Sequence, residues 1–145
     1  MNLLIYTDGA SRGNPGISAS GFRIYDDAHK LLKQGVLYNG IATNNEAEYK
    51  AIIAALKAAL VFGAVEIALY SDSKLAINQL MGNFKIKSGN LKKLNNETKE
   101  LLHKFKKYTL ENPRRSNEYI SAVDKDLNVF LDSVEKKERG QKKLK

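Results

Sequence analysis

The stretch LLIYTDGASRGNPG at residues 3–16 joins a short apolar run to a polar, glycine-rich segment. The apolar run has the length and character of a buried strand, and the segment from Asp8 onward has the composition of a loop. Working outward from it, residues 18–25 (SASGFRIY) and about 30–38 (KLLKQGVLY) have the pattern of two further strands. The beginning of the chain therefore predicts three antiparallel strands.

Helix signals follow these strands. Thr43-Asn44-Asn45-Glu46 fits a capping box with Thr43 as the N-cap, and Gly63 stands where a C-cap glycine belongs after Ala47–Phe62. The remaining pattern predicts a strand at 65–70, a helix capped by Ser71 or Asp72, a helix along 91–105, a short strand at 118–120 and a last helix from about Lys125. The order βββ-α-β-α-α-β-α indicates an α/β fold with a five-stranded mixed sheet, three antiparallel strands plus parallel ones, flanked by helices.

Composition limits the chemistry and the setting. The 145 residues include no cysteine, which excludes disulfides, thiolate zinc sites and a cysteine nucleophile. No apolar stretch approaches the roughly 20 residues of a membrane span, and MNLLIYTDGA has the character of a strand rather than a signal peptide. We therefore expect a cytoplasmic, monomeric protein without a membrane partner. Residues 1–137 are expected to form one domain, and the basic tail at 138–145 is expected to be disordered.

Charge is unevenly distributed along the chain. The formal net charge is +8, and residues 82–145 hold seventeen basic and nine acidic side chains, which accounts for the whole excess. A basic half beside a neutral half favours a polyanionic partner such as a nucleic acid. A lysine-rich solvated surface would have the same composition, so the charge indicates a direction without deciding the function.

Four carboxylates stand at informative positions: Asp8 at the end of the first strand, Glu48 early in the first long helix, Asp72 at the end of the fourth strand, and Asp132 inside the last helix. Strand ends and an overlying helix can bring such groups to one edge of a sheet. Converging carboxylates resist joint ionisation unless a cation neutralises them, and Mg²⁺ prefers such oxygen ligands. Two ions about 3.5–4 Å apart would support phosphodiester hydrolysis without a protein nucleophile. Taken singly, Asp8 is equally consistent with a turn residue and Asp72 with an N-cap.

The ordered motifs resemble those of a known family. TDGASRGNPG (7–16), TNNEAEY (43–49), YSDS (70–73) and the N-x-x-L-D of residues 128–132 resemble the signature of type 1 ribonucleases H. The resemblance implies a ribonuclease H-like fold and endonucleolytic hydrolysis of the RNA strand of RNA–DNA hybrids with Mg²⁺ or Mn²⁺. It also implies that the catalytic, metal-binding carboxylates are Asp8, Glu48, Asp72 and Asp132.

The same resemblance implies a substrate-binding set. Asn14, Asn45 and Asn44 correspond to residues that contact the substrate backbone and RNA 2′-hydroxyls, which an amide can both donate to and accept from. The segment GNFKIKSGNLKKL (82–94) resembles that of compact family members without a long basic helix, and Lys85 and Lys87 would grip the DNA strand.

The fourth carboxylate has alternatives, because Asp124 and Asp126 lie near Asp132. We prefer Asp132 because Asn128 lies four residues before it, on the same helix face, and the family spacing then fits without a gap. Asp124 would require extra residues and would consume the strand predicted at 118–120. The loop before the last helix also lacks the histidine common among relatives, so Asp124 is a weak candidate for assisting metal release.

Two rival functions remain open at this point. One is a DNA-cutting nuclease on the same fold, against which Asn14 and the TNN segment argue. The other is an RNA- or hybrid-binding module with impaired catalysis, against which the set of four carboxylates argues. The two histidines, His29 and His103, are expected to be ordinary surface residues.

Overall fold

A single mixed sheet of five strands organises the protein, with the strands in the order β3-β2-β1-β4-β5. The computed structural model describes residues 1–144, and it describes the side chains of residues 1–140. The elements in chain order are β1 (Asn2–Gly13), β2 (Gly16–Asp26), β3 (Leu31–Ala42), α1 (Asn44–Val61), β4 (Glu66–Ser71), α2 (Lys74–Leu80), α3 (Gly89–Leu102), β5 (Lys107–Glu111) and α4 (Glu118–Leu144). The first three strands are antiparallel, and β4 and β5 add in parallel, as predicted.

Strand β1 extends well beyond the predicted apolar run. It continues through Asp8 to Gly13, and Gly13 pairs with Gly16 across a tight turn. Gly13 has φ +113°, a conformation that side chains rarely adopt. The segment from Asp8 onward was expected to be a loop, which is wrong for residues 8–13. The backbone pairing of residues 8–13 with β2 stabilises an extended conformation despite the glycine-rich composition. The two strands therefore form a long two-stranded ribbon.

Helix α1 begins and ends where the sequence predicts. The capping box is present: Thr43 Oγ1 accepts from the Glu46 backbone N–H at 3.2 Å, and Glu46 Oε1 accepts from the Thr43 N–H at 3.1 Å. Gly63 follows the helix end with φ +75°. The buried side of α1 includes Ile52 and Leu56, which pack with strand residues in the main core. Helix α1 covers one face of the sheet.

Helix α4 covers the other face and begins earlier than predicted. Residues 118–120 were expected to form a strand; instead they form the first turn of α4, because Asn117 Oδ1 accepts from the N–H groups of Tyr119 and Ile120 at 2.9 and 3.1 Å. An apolar stripe lines the buried side of the helix, at spacings of three and four residues: Ile120, Val123, Leu127 and Leu131. It approaches β2 at Gly21, where an added Cβ would lie 3.0 Å from Leu127 Cδ2.

Two further boundaries differ from the prediction. The last strand is β5, whose alternating exposed and half-buried residues place it at the sheet edge beside β4. The cap of α2 is Ser73, whose Oγ accepts from the Ala76 N–H at 3.0 Å, rather than Ser71 or Asp72. Asp72 is thereby left outside the helix, with its carboxylate free for other contacts.

The end of α4 includes the predicted tail. Helical backbone continues to Leu144, where residues 138–145 were expected to be disordered; Lys145 lies outside the described residues. Arg139, at the start of this segment, forms an ion pair at 3.6 Å with Glu135, four residues earlier on the helix. The domain limit at residue 137 stays a prediction. None of the described helices is both long and apolar enough to cross a membrane.

Candidate active site

Two carboxylates lie side by side because β1 and β4 are parallel neighbours. Thr7 of β1 pairs with Ser71 of β4 in the ladder. Asp8 and Asp72 are the residues that directly follow this pair. The Asp72 N–H donates to the Thr7 carbonyl at 3.2 Å, which holds the two strand segments together. Asp8 is almost completely buried and Asp72 is half-buried. The strand register therefore brings two of the predicted carboxylates together.

Helix α1 contributes the third carboxylate. Glu48 is 4% exposed, and its Oε2 accepts from the Gly9 N–H at 3.1 Å. This contact requires a glycine, since a Cβ on Gly9 would lie 2.4 Å from the Ala47 carbonyl carbon and from the Glu48 nitrogen. One oxygen each from Asp8, Glu48 and Asp72 lie within 4.8 Å of one another. The three carboxylates thus form one compact cluster.

Asp124, and not Asp132, is the carboxylate of α4 that faces this cluster. Asp124 lines a cavity of about 360 Å³ together with Asp8, Glu48 and Asp72. The negative charge of Asp124 is one of the causes that raise the pKa of Asp8. The preference for Asp132 rested on the helix face that it shares with Asn128 and on the family spacing, and the objection to Asp124 was a strand at 118–120. Helix α4 begins at Glu118, which removes that objection.

Asp132 lies farther along α4, on the protein surface. Its side chain is 71% exposed and pairs with the Arg12 guanidinium at 2.7 Å. Eight helical residues separate Asp132 from Asp124, an axial distance of about 12 Å. Arg12 is likewise four strand residues beyond Asp8, about 13 Å along β1. The helix therefore runs beside the strand, with Asp124 opposite Asp8 and Asp132 opposite Arg12, and the structure does not bring Asp132 to the cluster.

Burial and mutual repulsion raise the pKa values of the three carboxyl groups in the cluster. Burial, then the charges of Asp72 and Asp124, raise the pKa of Asp8 to about 8, although the Gly9 N–H acts in the opposite direction. Burial and the charges of Asp8 and Asp72 raise the pKa of Glu48 well above its ordinary value. The pKa of Asp72 is raised by burial, against the lowering effect of the Arg115 guanidinium.

These residues fit a divalent metal ion. The donors are carboxylate oxygens, which hard cations such as Mg²⁺ prefer, and a cation would offset the repulsion that raises each pKa. Among the described residues, this donor set contains only carboxylates, with no cysteine and no histidine. The acidic cluster is therefore consistent with binding of a divalent metal ion.

We expect the free energy of unfolding to fall as the pH rises when a chelator keeps the protein free of metal. The pKa of Asp8 is raised from 3.8 to about 8 in the folded chain, so between these values the folded protein keeps a proton that the unfolded chain has released. The folded state then binds more protons, and its free energy advantage decreases with pH by up to about 1.4 kcal/mol for each pH unit in that window. Added Mg²⁺ or Mn²⁺ should raise the melting temperature more at pH 8 than at pH 6.

Thermal unfolding from pH 5 to pH 8.5, with chelator and then with metal, measures both effects. Asp8→Asn provides the control, because it removes the titrating group and should flatten the pH dependence in chelator. A native melting temperature in chelator that falls no more steeply with pH than that of Asp8→Asn would contradict the prediction.

Among the predicted asparagines, Asn44 lines the cavity and Asn14 contacts Asn44. Asn44 lines the cavity and is exposed. Asn14 Oδ1 accepts from the Asn44 N–H at 3.1 Å, which ties the β1–β2 turn to the start of α1 and leaves the Asn14 amide NH₂ available. Asn45 is half-buried in the first turn of α1. The structure thus brings Asn14 and Asn44 together beside the carboxylates.

The predicted lysines lie on an irregular segment between α2 and α3. Lys85 and Lys87 are exposed, and the Lys85 carbonyl accepts from Gln79 Nε2 at 3.3 Å. Their side chains carry the positive charge that a phosphate backbone would require.

Arg115 lines the cavity beside Asp72. It lies in the loop before α4, which the Asn112 amide holds by donating to the Ser71 carbonyl at 2.7 Å. The apolar stripe of α4 is readable in the sequence and could have placed Asp124. No comparable signal in the sequence separates Arg115 from Arg114.

Comparison with known proteins shows which family this chain resembles. A family model described as Reverse transcriptase-like matches residues 6–123. Ribonuclease HI of Halobacterium salinarum is 40% identical over 119 residues, which cover 81% of this chain and 60% of that protein. The Bifunctional protein Rv2228c of Mycobacterium tuberculosis is 38% identical over 128 residues, 87% of this chain and 35% of that protein. The chain thus spans about a third of the mycobacterial relative.

Solved structures match over nearly their whole length. RNase H1 of Halobacterium salinarum has a TM-score of 0.83 at 38% identity, covering 92% of this chain and 99% of that one. LC11-RNase H1, solved in complex with an RNA/DNA hybrid, has a TM-score of 0.81 at 31% identity, covering 91% and 98%.

Proposed function

The chain belongs to the ribonuclease H family, and from that membership we propose that it is an endonuclease that hydrolyses the RNA strand of RNA–DNA hybrids. The observation that carries the proposal is the compact cluster of Asp8, Glu48 and Asp72 at the bottom of an open cavity. LC11-RNase H1, which shares this fold, was solved with a hybrid bound.

We propose Asp8, Glu48, Asp72 and Asp124 as the metal-binding, catalytic carboxylates, with Mg²⁺ as the ion, Mn²⁺ as a substitute, and two ions per site when substrate is bound. A divalent ion held by these carboxylates would supply the Lewis-acid chemistry needed to activate a water and to stabilise the leaving oxygen. Glu48 is oriented by Gly9, and Asp124, on the exposed rim, contributes the remaining negative charge.

The residues around the carboxylates would bind and orient the substrate. Asn14 and Asn44 lie beside the cavity, where an amide can exchange hydrogen bonds with a 2′-hydroxyl that DNA lacks. Asn45 stays a weaker candidate for the same role. Lys85 and Lys87 would contact the DNA strand through phosphates, which makes affinity depend on salt. The Arg115 guanidinium would attract a phosphate into the cavity.

Cleavage assays with a labelled RNA–DNA hybrid test the proposal, beside an RNA duplex and a DNA duplex of the same sequence. We expect cleavage of the hybrid's RNA strand with Mg²⁺ or Mn²⁺ and none in a chelator. Cutting of the DNA duplex instead would favour a DNA nuclease on this fold. Tight hybrid binding without cleavage under either metal would favour the binding module. A cytoplasmic location and a monomeric state stay predictions.

A further inference from the structure

Three polar side chains are buried where α1, α2 and α3 meet. Tyr49 is 0% exposed, Asn95 is 1% exposed and Gln79 is 5% exposed. Burying such groups costs free energy unless hydrogen bonds satisfy them. Tyr49 follows Glu48, a proposed metal ligand, on α1, so this polar group includes a residue of the helix that contributes to the carboxylate cluster.

The three side chains form one directional chain of hydrogen bonds. Asn95 Nδ2 donates to Tyr49 Oη at 3.1 Å, and Tyr49 Oη donates to Gln79 Oε1 at 2.7 Å. Gln79 Nε2 then donates to the Lys85 carbonyl at 3.3 Å. The chain therefore begins in the interior and ends on the backbone of the segment that carries Lys85 and Lys87.

That segment, residues 82–88, has neither helix nor strand. At its start, the N–H groups of Asn83 and Phe84 donate to the Asn78 carbonyl. In its middle, Ile86 packs against the main core while the two lysines point outward. Among the hydrogen bonds of residues 1–140, the one from Gln79 is the side-chain contact that holds the middle of the segment.

We propose that Gln79 is a positioning residue that fixes residues 82–88 relative to α1 and thereby sets the affinity for the hybrid. The inference rests on the proposed function, because it takes Lys85 and Lys87 as contacts to the substrate. Gln79 fixes the Lys85 carbonyl and Ile86 anchors the next residue, so together they set the direction of both lysines. Because Tyr49, the neighbour of Glu48 on α1, donates to Gln79, the segment that carries the lysines is tied to the helix that carries Glu48.

Gln79→Met tests the proposal, since methionine keeps the length of the side chain and removes its donor and acceptor. We expect KM for the hybrid to rise by about fivefold, the effect of one lost hydrogen bond, with kcat within about twofold of native. Thr98→Val is the matched control: Thr98 is equally buried, but its hydroxyl donates within α3 to the Leu94 carbonyl at 2.7 Å. This control should lose stability without a change in KM.

A double-mutant cycle separates positioning from stability. If Gln79 acts through the lysines, Gln79→Met should add little to the KM of a chain that already carries Lys85→Ala and Lys87→Ala. Tyr49→Phe removes only the hydroxyl that orients Gln79, and it should raise KM in the same direction by a smaller factor. This second variant decides the matter if Gln79→Met does not fold.

An unchanged KM in Gln79→Met, or an equal rise in Thr98→Val, would overturn the inference. So would a Gln79→Met effect that persists in full on the lysine-free background. These outcomes differ from failure of the proposed function, in which the native chain itself would neither bind nor cut the hybrid.

Discussion

Asp124→Asn is expected to lower the rate of hybrid cleavage by about 10²- to 10³-fold, because a lost metal contact removes several kcal/mol of transition-state stabilisation. Asp132→Asn is expected to stay within about fivefold of native. Asp132 is 71% exposed, and an exposed ion pair contributes about 1 kcal/mol or less. Arg12 also keeps Glu135, at 2.6 Å, when Asp132 is neutral.

The two variants form a matched pair, because each converts a carboxylate of the same helix into an amide of nearly the same size. Steady-state cleavage with Mg²⁺ measures the effect, and Asp8→Asn gives the rate of a chain that lacks a central ligand. Circular dichroism and thermal unfolding check that both variants fold. A large loss in Asp132→Asn with near-native activity in Asp124→Asn would restore the assignment that the sequence favours.

Gly9→Ala is expected to reduce kcat by about 10²-fold and to destabilise the fold by about 1–3 kcal/mol. The added methyl group would lie 2.4 Å from backbone atoms of Ala47 and Glu48, so α1 must move away from β1. That movement lengthens the hydrogen bond from the Gly9 N–H to Glu48 and displaces a metal-binding carboxylate.

Gly140→Ala is the control for Gly9→Ala, because a Cβ at Gly140 would meet nothing within 4 Å. Cleavage rates and urea unfolding of both variants provide the measurement. Native activity in Gly9→Ala would show that α1 can shift without moving Glu48, and it would refute the role assigned to this close approach.

The fold could be predicted where local signals agree with tertiary packing. The capping box at Thr43–Glu46 and the glycine at 63 define α1 from sequence alone. Three of the four predicted carboxylates come together because Asp8 on β1 lies beside the end of β4, Asp72 follows that end, and Glu48 lies in α1. The strand β5 was missed because its exposed alternate residues are polar, as in many edge strands: Lys107, Thr109 and Glu111.

The position of Asp124 shows where the prediction failed and why. Glu118-Tyr119-Ile120 has strand-like composition, and the Asn117 cap overrides it by satisfying two backbone N–H groups. The spacing of Ile120, Val123 and Leu127 carries the helical period across this segment. This period predicts a helix that begins before Ile120. Such a helix begins early enough to place Asp124 beside Asp8.

The pairing of β1 with α4 has a consequence for protein synthesis. Asp8 is synthesised before Asp124, and all five strands of the sheet come before Asp124 in the sequence. A nascent chain can assemble three carboxylates before α4 emerges, yet its cavity then lacks one wall. The set of four carboxylates is therefore complete only after α4 has been synthesised and has docked against β1.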